Sequence, residues 1–309
     1  MTGSGAEQGR YRHRLRSSMQ TTQHGSASGS AAPRPISNSL TGETHAPLVL
    51  PFDRPRPPVQ SYRGDTIHVE IAPDLALKLR SLARQQRVSM FMLLLAAYQL
   101  LLFRYSGQSD LRVGVPVAGR RQAELASLIG CFVNTLVLRA DVTDDISFAD
   151  LLEQAKEEVI SGLAHQDIPF DRLVDALKPA RSGGHNPLFQ VKFNYMAAPR
   201  GFTAVDGLRA DARIIDLAGS HFDLALDIVD GAKGMTVSLN YATDLFDAAT
   251  VERIGLQLVD FLQQIADGID RPLADFCDRS IRRKPDVKCN AVHVIPPATD
   301  LSQSPAVRS

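Results

Sequence analysis

Six polar side chains stand where chemistry could be done: Asn134, Arg139, His165, Gln166, Asp167 and Asn186. His165 opens a His-Gln-Asp run at a helix-to-loop boundary. An imidazole there can accept a proton as a general base. It can equally bond a backbone carbonyl and pack its loop, and that is the role expected of it. Asn134 interrupts an apolar run, where a buried amide needs hydrogen-bond partners. It is read first as a residue that fixes its neighbours, and second as one facing a binding cavity. Arg139, at a strand end, is expected to meet a carboxylate. Asn186 and Pro187 precede a strand, and that pair sets strand register through a turn. Arg181 carries the planar charge that suits a phosphate, although a solvated arginine is the plainer reading. His221 and Asp223 flank Phe222 and suggest a dyad. Alternation puts both on the polar side, with no nucleophile of recognised signature nearby, so the dyad is discounted.

Several reaction classes find no support. The sequence has no GxSxG elbow, P-loop, GxGxxG or HExxH. Its three cysteines, Cys131, Cys277 and Cys289, form no CxxC. Such usage points to a reducing, cytoplasmic setting without a disulfide framework. Cys289 and His293 together do not close a tetrahedral zinc site, so no metal is expected. Lys+Arg and Asp+Glu each number 34. A nucleic-acid partner would call for a basic excess, and none exists. The longest apolar run, Met90 to Phe103, is broken only by Gln99. It falls short of the roughly 20 residues that span a bilayer, so it reads as a buried helix, and no membrane association is expected.

These residues need a scaffold, and hydrophobic periodicity supplies one. Residues 1–50 are rich in Ser, Thr, Gly, Gln and Ala and are expected to be a disordered leader. The alternating Arg10, Arg12, Arg14 and Arg16 are also a transit-peptide feature, though a plain leader is preferred. Residues 51–65 form a Pro-rich linker, extended by four prolines between Pro51 and Pro58, or a strap on a surface. Ile67, Val69 and Ile71 alternate as a strand does. Pro73 opens a helix, Ser89 caps a central one that Gly107 stops, and Leu111, Val113 and Val115 form a short strand. A buried strand is expected over Phe132 to Leu138. A helix capped by Ser147 follows, then a short one from Pro169 to Leu177. Three strands come next, with shared faces at Phe189, Val191, Phe193 and Tyr195; at Phe222, Leu224, Leu226 and Ile228; and at Met235, Val237, Leu239 and Tyr241. Gly231 and Gly234 predict a hairpin between the last two. A final helix runs from Ala248 to about Ala266. The expectation is an α/β sandwich, a mixed β-sheet packed by helices, ending in a disordered tail over 277–309.

The motifs in this order resemble one family. Ile129-Gly-Cys-Phe-Val-Asn-Thr-Leu-Val-Leu-Arg139 is similar to the "IGxFVNTLxLR" motif of condensation domains from non-ribosomal peptide synthetases. His165-Gln-Asp-Ile-Pro-Phe-Asp-Arg-Leu-Val174 resembles "HQDxPFExLV", and Asn186-Pro-Leu-Phe-Gln-Val-Lys-Phe193 resembles "RNPLFQVMF". Arg104 to Asp110 and Tyr241 to Phe246 resemble the family's "HRYSGQxD" and "YnTDLFD" segments. The resemblance covers residues 50–276.

The resemblance implies a chloramphenicol-acetyltransferase-like fold of two lobes, of which residues 66–276 match the C-terminal one. It implies amide-bond formation between carrier-protein-bound aminoacyl or peptidyl thioesters in a tunnel between lobes. The family's catalytic HHxxxDG motif belongs to the first lobe, and these 309 residues contain no adjacent His pair. The expectation is therefore a partial domain, inactive alone, with no catalytic residue of its own. A non-catalytic docking module or a gene remnant are the alternatives. Asn134, Arg139, His165, Gln166, Asp167 and Asn186 are expected to be structural or to line the tunnel. No cofactor is expected to bind directly; phosphopantetheine enters only as the arm of a partner carrier protein. The implied partners are a peptidyl carrier protein, other synthetase domains and a separate N-terminal lobe.

Overall fold

Among the described residues, alternating apolar side chains build six strands: β1 (Gly64–Ile71), β2 (Asp110–Val117), β3 (Asn134–Asp141), β4 (Val191–Ala197), β5 (Leu224–Gly231) and β6 (Gly234–Ala242). They form one mixed sheet in the order β1-β6-β5-β4-β2-β3. β4 pairs in parallel with β2 and β5, and the other pairings are antiparallel. The computed structural model describes residues 46–120, 123–125, 127–179, 182–198, 218–231 and 234–276. Arg181 and the expected tail over 277–309 lie outside them, as do residues 1–45 of the leader.

One face of the sheet carries Ile67, Val69, Val237, Leu239, Leu226, Phe193, Val113 and Leu138. Four helices cover it. α1 (Pro73–Gln85) starts at its proline. α2 (Met90–Ser106) is buried along most of its length, as a helix apolar on all sides must be. The Ser89 hydroxyl accepts from the Met92 amide at 3.2 Å, and Gly107 ends the helix at φ 66°. α3 (Phe148–Ala164) opens on a capping box, Ser147 with Asp150. α5 (Ala248–Asp267) packs a stripe from Val251 to Ile265.

A short helix, α4 (Phe170–Leu177), lies on the opposite face. Phe170, Leu173, Val174 and Leu177 pack there with Val137, Leu188, Phe189 and Phe222. This corrects two expected strand faces. Phe189 and Phe222 do not share a face with the residues that follow them; both precede their strands, and their rings stack 5.5 Å apart on the second face. Gly114 makes the room, since a Cβ there would collide with the Phe189 ring. β3 also begins two residues later than expected, because Phe132 and Val133 belong to a loop.

The Pro-rich segment is a strap and begins earlier than expected. Leu48 and Leu50, placed in the leader by composition, are core residues. The strap lays Phe52 edge-on to Phe246, with centroids 5.3 Å apart, and its Asp53 accepts from the Asp247 amide and the Thr250 hydroxyl at the start of α5. Among the described residues, no single helix is long and apolar enough to cross a membrane.

Candidate functional site

The chain passes from α3 on one face to α4 on the other by turning around β3, an edge strand. Asn134, the first residue of β3, holds that turn. Its amide nitrogen donates to the carbonyls of Gln166 at 2.9 Å and Ile168 at 2.7 Å. Its Oδ1 accepts from the Phe170 amide at 3.1 Å. The two longest motifs are thus joined by one side chain, and the structural reading of Asn134 fits its geometry.

His165 sits at the C-terminus of α3, and its Nδ1 lies 2.9 Å from the Ser161 carbonyl. A carbonyl only accepts, so Nδ1 carries the proton in that bond. The ring lines a shallow cleft with Thr135, Glu158, Ser161, Ile168 and Leu173. Gln166 donates to the Leu163 carbonyl at 2.9 Å, and Asp167 is exposed.

Arg139 and Asn186 lie elsewhere. Arg139 reaches Asp110 across the β2–β3 pair, Nε to Oδ1 at 2.7 Å, and Asp110 also meets the buried Arg112 at 3.3 Å. The expected carboxylate partner is therefore present. The Asn186 Oδ1 accepts from the Leu188 and Phe189 amides at 3.1 and 3.4 Å, a turn of the expected kind that launches β4.

Two arrangements escaped the sequence reading. Arg56, in the strap, pairs through both guanidinium nitrogens with Asp223, 167 residues away. Burial pushes the Asp223 carboxyl above the usual range, and the Arg56 bonds pull against that rise. His221 instead contacts the Tyr62 ring, so the discounted His-x-Asp pair stays apart. An acid at the head of an apolar run was the available signal; its partner was not readable. Arg120, in turn, binds the carbonyls of Leu125, Leu128 and Gly130 and lies 4.4 Å over the Phe132 ring. That staple shapes the loop before β3 and leaves Ile129 and Val133 exposed.

Beyond α4 the second face is polar and open. Lys192 and Asn194 both reach Asp227 at 3.0 Å, and His68 Nδ1 lies 2.9 Å from the Ser238 hydroxyl. These groups can bind and orient a polar chain. Among the described residues, no cluster of His, Cys, Asp and Glu could hold a metal.

Known proteins share this architecture. The family model described as "Condensation domain" matches residues 38–277. A linear gramicidin synthase of Brevibacillus parabrevis is 42% identical over 221 residues, covering 71% of this chain and 3% of that protein. The dimodular nonribosomal peptide synthase of Bacillus subtilis is 38% identical over 234 residues, covering 74% of this chain and 10% of that protein. The chain thus spans a small part of the length of these relatives. A solved four-domain nonribosomal peptide synthetase, bound to AMP and glycine, superposes with a TM-score of 0.69 at 26% identity, over 77% of this chain and 19% of that one. The X-domain from teicoplanin biosynthesis gives 0.72 at 24% identity, covering 87% of this chain and 60% of that domain, a likeness of fold.

Proposed function

The chain belongs to the condensation-domain family, and from that premise we propose that it forms one wall of a chamber in which carrier-bound aminoacyl or peptidyl thioesters are joined as amides. The observation that carries this reading is the convergence of the family's long motifs on a preorganised edge, with Asn134 tying β3 to the turn after α3. The reaction moves an amine nitrogen onto a thioester carbonyl and breaks the C–S bond; the amine must be neutral and lie within reach. Positioning supplies much of the rate in such bimolecular steps, and the open polar face bearing Lys192, Asn194 and Asp227 is suited to it. A proton-accepting imidazole contributes about 10²–10⁴-fold when correctly placed. The family's motif for it is absent from these 309 residues, so on this reading the imidazole comes from a first lobe. The phosphopantetheine arms of carrier proteins bring the substrates from the cytoplasm, and no cofactor resides in the wall itself.

A second reading, a docking module without chemistry, is favoured by the loop that Arg120 staples with Ile129 fully exposed. A condensation assay with two loaded carrier proteins separates the two. Amide product should form when a family first lobe is added and not without it. Product from this chain alone would overturn the one-wall assignment. No product in either case, with carrier protein retained by the chain, would favour docking.

A further inference from the structure

α4 is held differently from the other α-helices described. α1, α2, α3 and α5 each bury a stripe of residues in the core. α4 buries none: Phe170, Leu173, Val174 and Leu177 are only half-buried, and its other residues are exposed. Its eight residues fall short of the roughly 12 that an isolated helix needs to persist in water. No side chain caps its start at Pro169, and Lys178 ends it in the left-handed region at φ 45°. What keeps α4 helical is therefore its seat on the aromatic cluster, where the Phe170 ring meets that of Phe189 with centroids 5.7 Å apart. An element with so little burial belongs at the low-stability end of a fold, where local opening precedes global unfolding.

The seat continues into the strap. The Phe189 ring stacks on that of Phe222, and Phe222 adjoins Asp223 at the head of β5. Arg56 grips Asp223 with both guanidinium nitrogens, and its Nη1 also donates to the Gly184 carbonyl at 3.1 Å. Gly183 and Gly184 belong to the stretch of chain between α4 and β4. The Gln60 amide donates to the Gly183 carbonyl at 3.0 Å, and a Cβ on Gly184 would lie 2.8 Å from the Pro57 carbonyl oxygen. One arginine of the strap thus holds both the chain that follows α4 and the strand head behind the ring cluster. At its other end α4 is tied to Asn134, whose Oδ1 accepts from the Phe170 amide. Fixed ends and a half-buried middle are the parts of a lid.

We infer that α4 is a lid over the rings of Phe189 and Phe222, and that Arg56 latches it shut through Asp223 and Gly184. Lifting α4 bares those rings beside Lys192, the register partner of Gly114, against which the Phe189 ring lies. Loss of the Arg56 guanidinium leaves a buried carboxylate uncompensated. That favours arrangements in which Asp223 reaches water, and these draw Phe222 out from behind Phe189. Strap and ring cluster therefore bias one two-state element, α4 seated or α4 lifted. As a gate onto the chamber the lid rests on the function proposed above; as a moving element it is tested on this chain alone, so each can fail separately.

Native-state hydrogen exchange on the full chain reads the lid at the amides of Val174 to Lys178. Their protection should be about 100-fold below that of Leu95 to Leu101 in α2, and low urea should leave it unchanged, because local opening exposes little surface. Arg56→Met should lower the α4 protection about tenfold further. Arg56→Lys keeps the charge and loses the forked grip; it should lower that protection about threefold, and it carries the test if the Met variant does not fold. Arg104→Met breaks an ion pair with Asp144 at the end of α2 and should leave α4 as it was. Protection in α4 equal to that in α2 would overturn the lid. Protection in α4 that holds in both Arg56 variants while that of α2 falls, or that drops equally in Arg104→Met, would overturn the latch.

Discussion

Asn134 uses both amide hydrogens and its oxygen on the turn around β3. Asn134→Leu keeps the volume and orphans two carbonyls and an amide, and should cost about 1–3 kcal/mol in urea unfolding, since each such bond nets about 1 kcal/mol. An unchanged midpoint would show that water replaces the side chain. Arg56 poses a different problem. Its partner Asp223 is nearly inaccessible, with a side chain 4% exposed, and burial already raises that carboxyl. Arg56→Met leaves the carboxylate uncompensated, a change that typically costs about 3–5 kcal/mol near neutral pH. The pH dependence has a definite sign. A carboxyl whose folded pKa lies above its unfolded value contributes stability that is present below the unfolded value, near 4, and lost as pH rises through the folded one. Without Arg56 that loss steepens. The deficit of the variant should therefore be larger at pH 7 than at pH 5, and a deficit constant across that range would exclude Asp223 as its source.

Elements here are matched by small residues as much as by large ones. β2 accepts the aromatic cluster beneath α4 because Gly114 lacks a side chain where the Phe189 ring lies. Gly114→Ala should cost about 1–3 kcal/mol by overpacking, and trimming the ring in Gly114→Ala/Phe189→Leu should recover part of that loss. If the double variant is no more stable than the single, the clash is not the cause. The same cluster explains why alternation misplaced Phe189 and Phe222. Period-two patterning describes residues inside a strand, and these two lie just ahead of β4 and β5, free of its constraint. Where the pattern stayed inside an element, as along α2, α5 and the β5–β6 hairpin, sequence and structure agree.

At the scale of the whole molecule, the described residues make one helix-covered sheet whose second face is only partly covered. Ile129 and Val133 project from the loop that Arg120 holds, with exposures of 104% and 60%. Exposed apolar surface of this kind promotes association. The chain should therefore elute in a concentration-dependent way in sizing experiments, and Ile129→Ser/Val133→Ser should shift it towards monomer. A monodisperse monomer at high concentration would count against a missing partner wall.

The order of helices and strands, the central burial of α2 and the membership in the condensation-domain family were legible in the 309 residues, because periodicity, caps and contiguous motifs are local signals. So was the turn at Asn186, whose hydrogen-bond partners Leu188 and Phe189 lie within three residues. The meeting of Asn134 with the turn after α3, the pairing of Arg56 with Asp223 and the second-face cluster over Gly114 were decided only by tertiary structure. Each joins segments far apart in the chain, where hydrogen-bond geometry and the shape of a cavity choose the partner and no spacing rule records the choice.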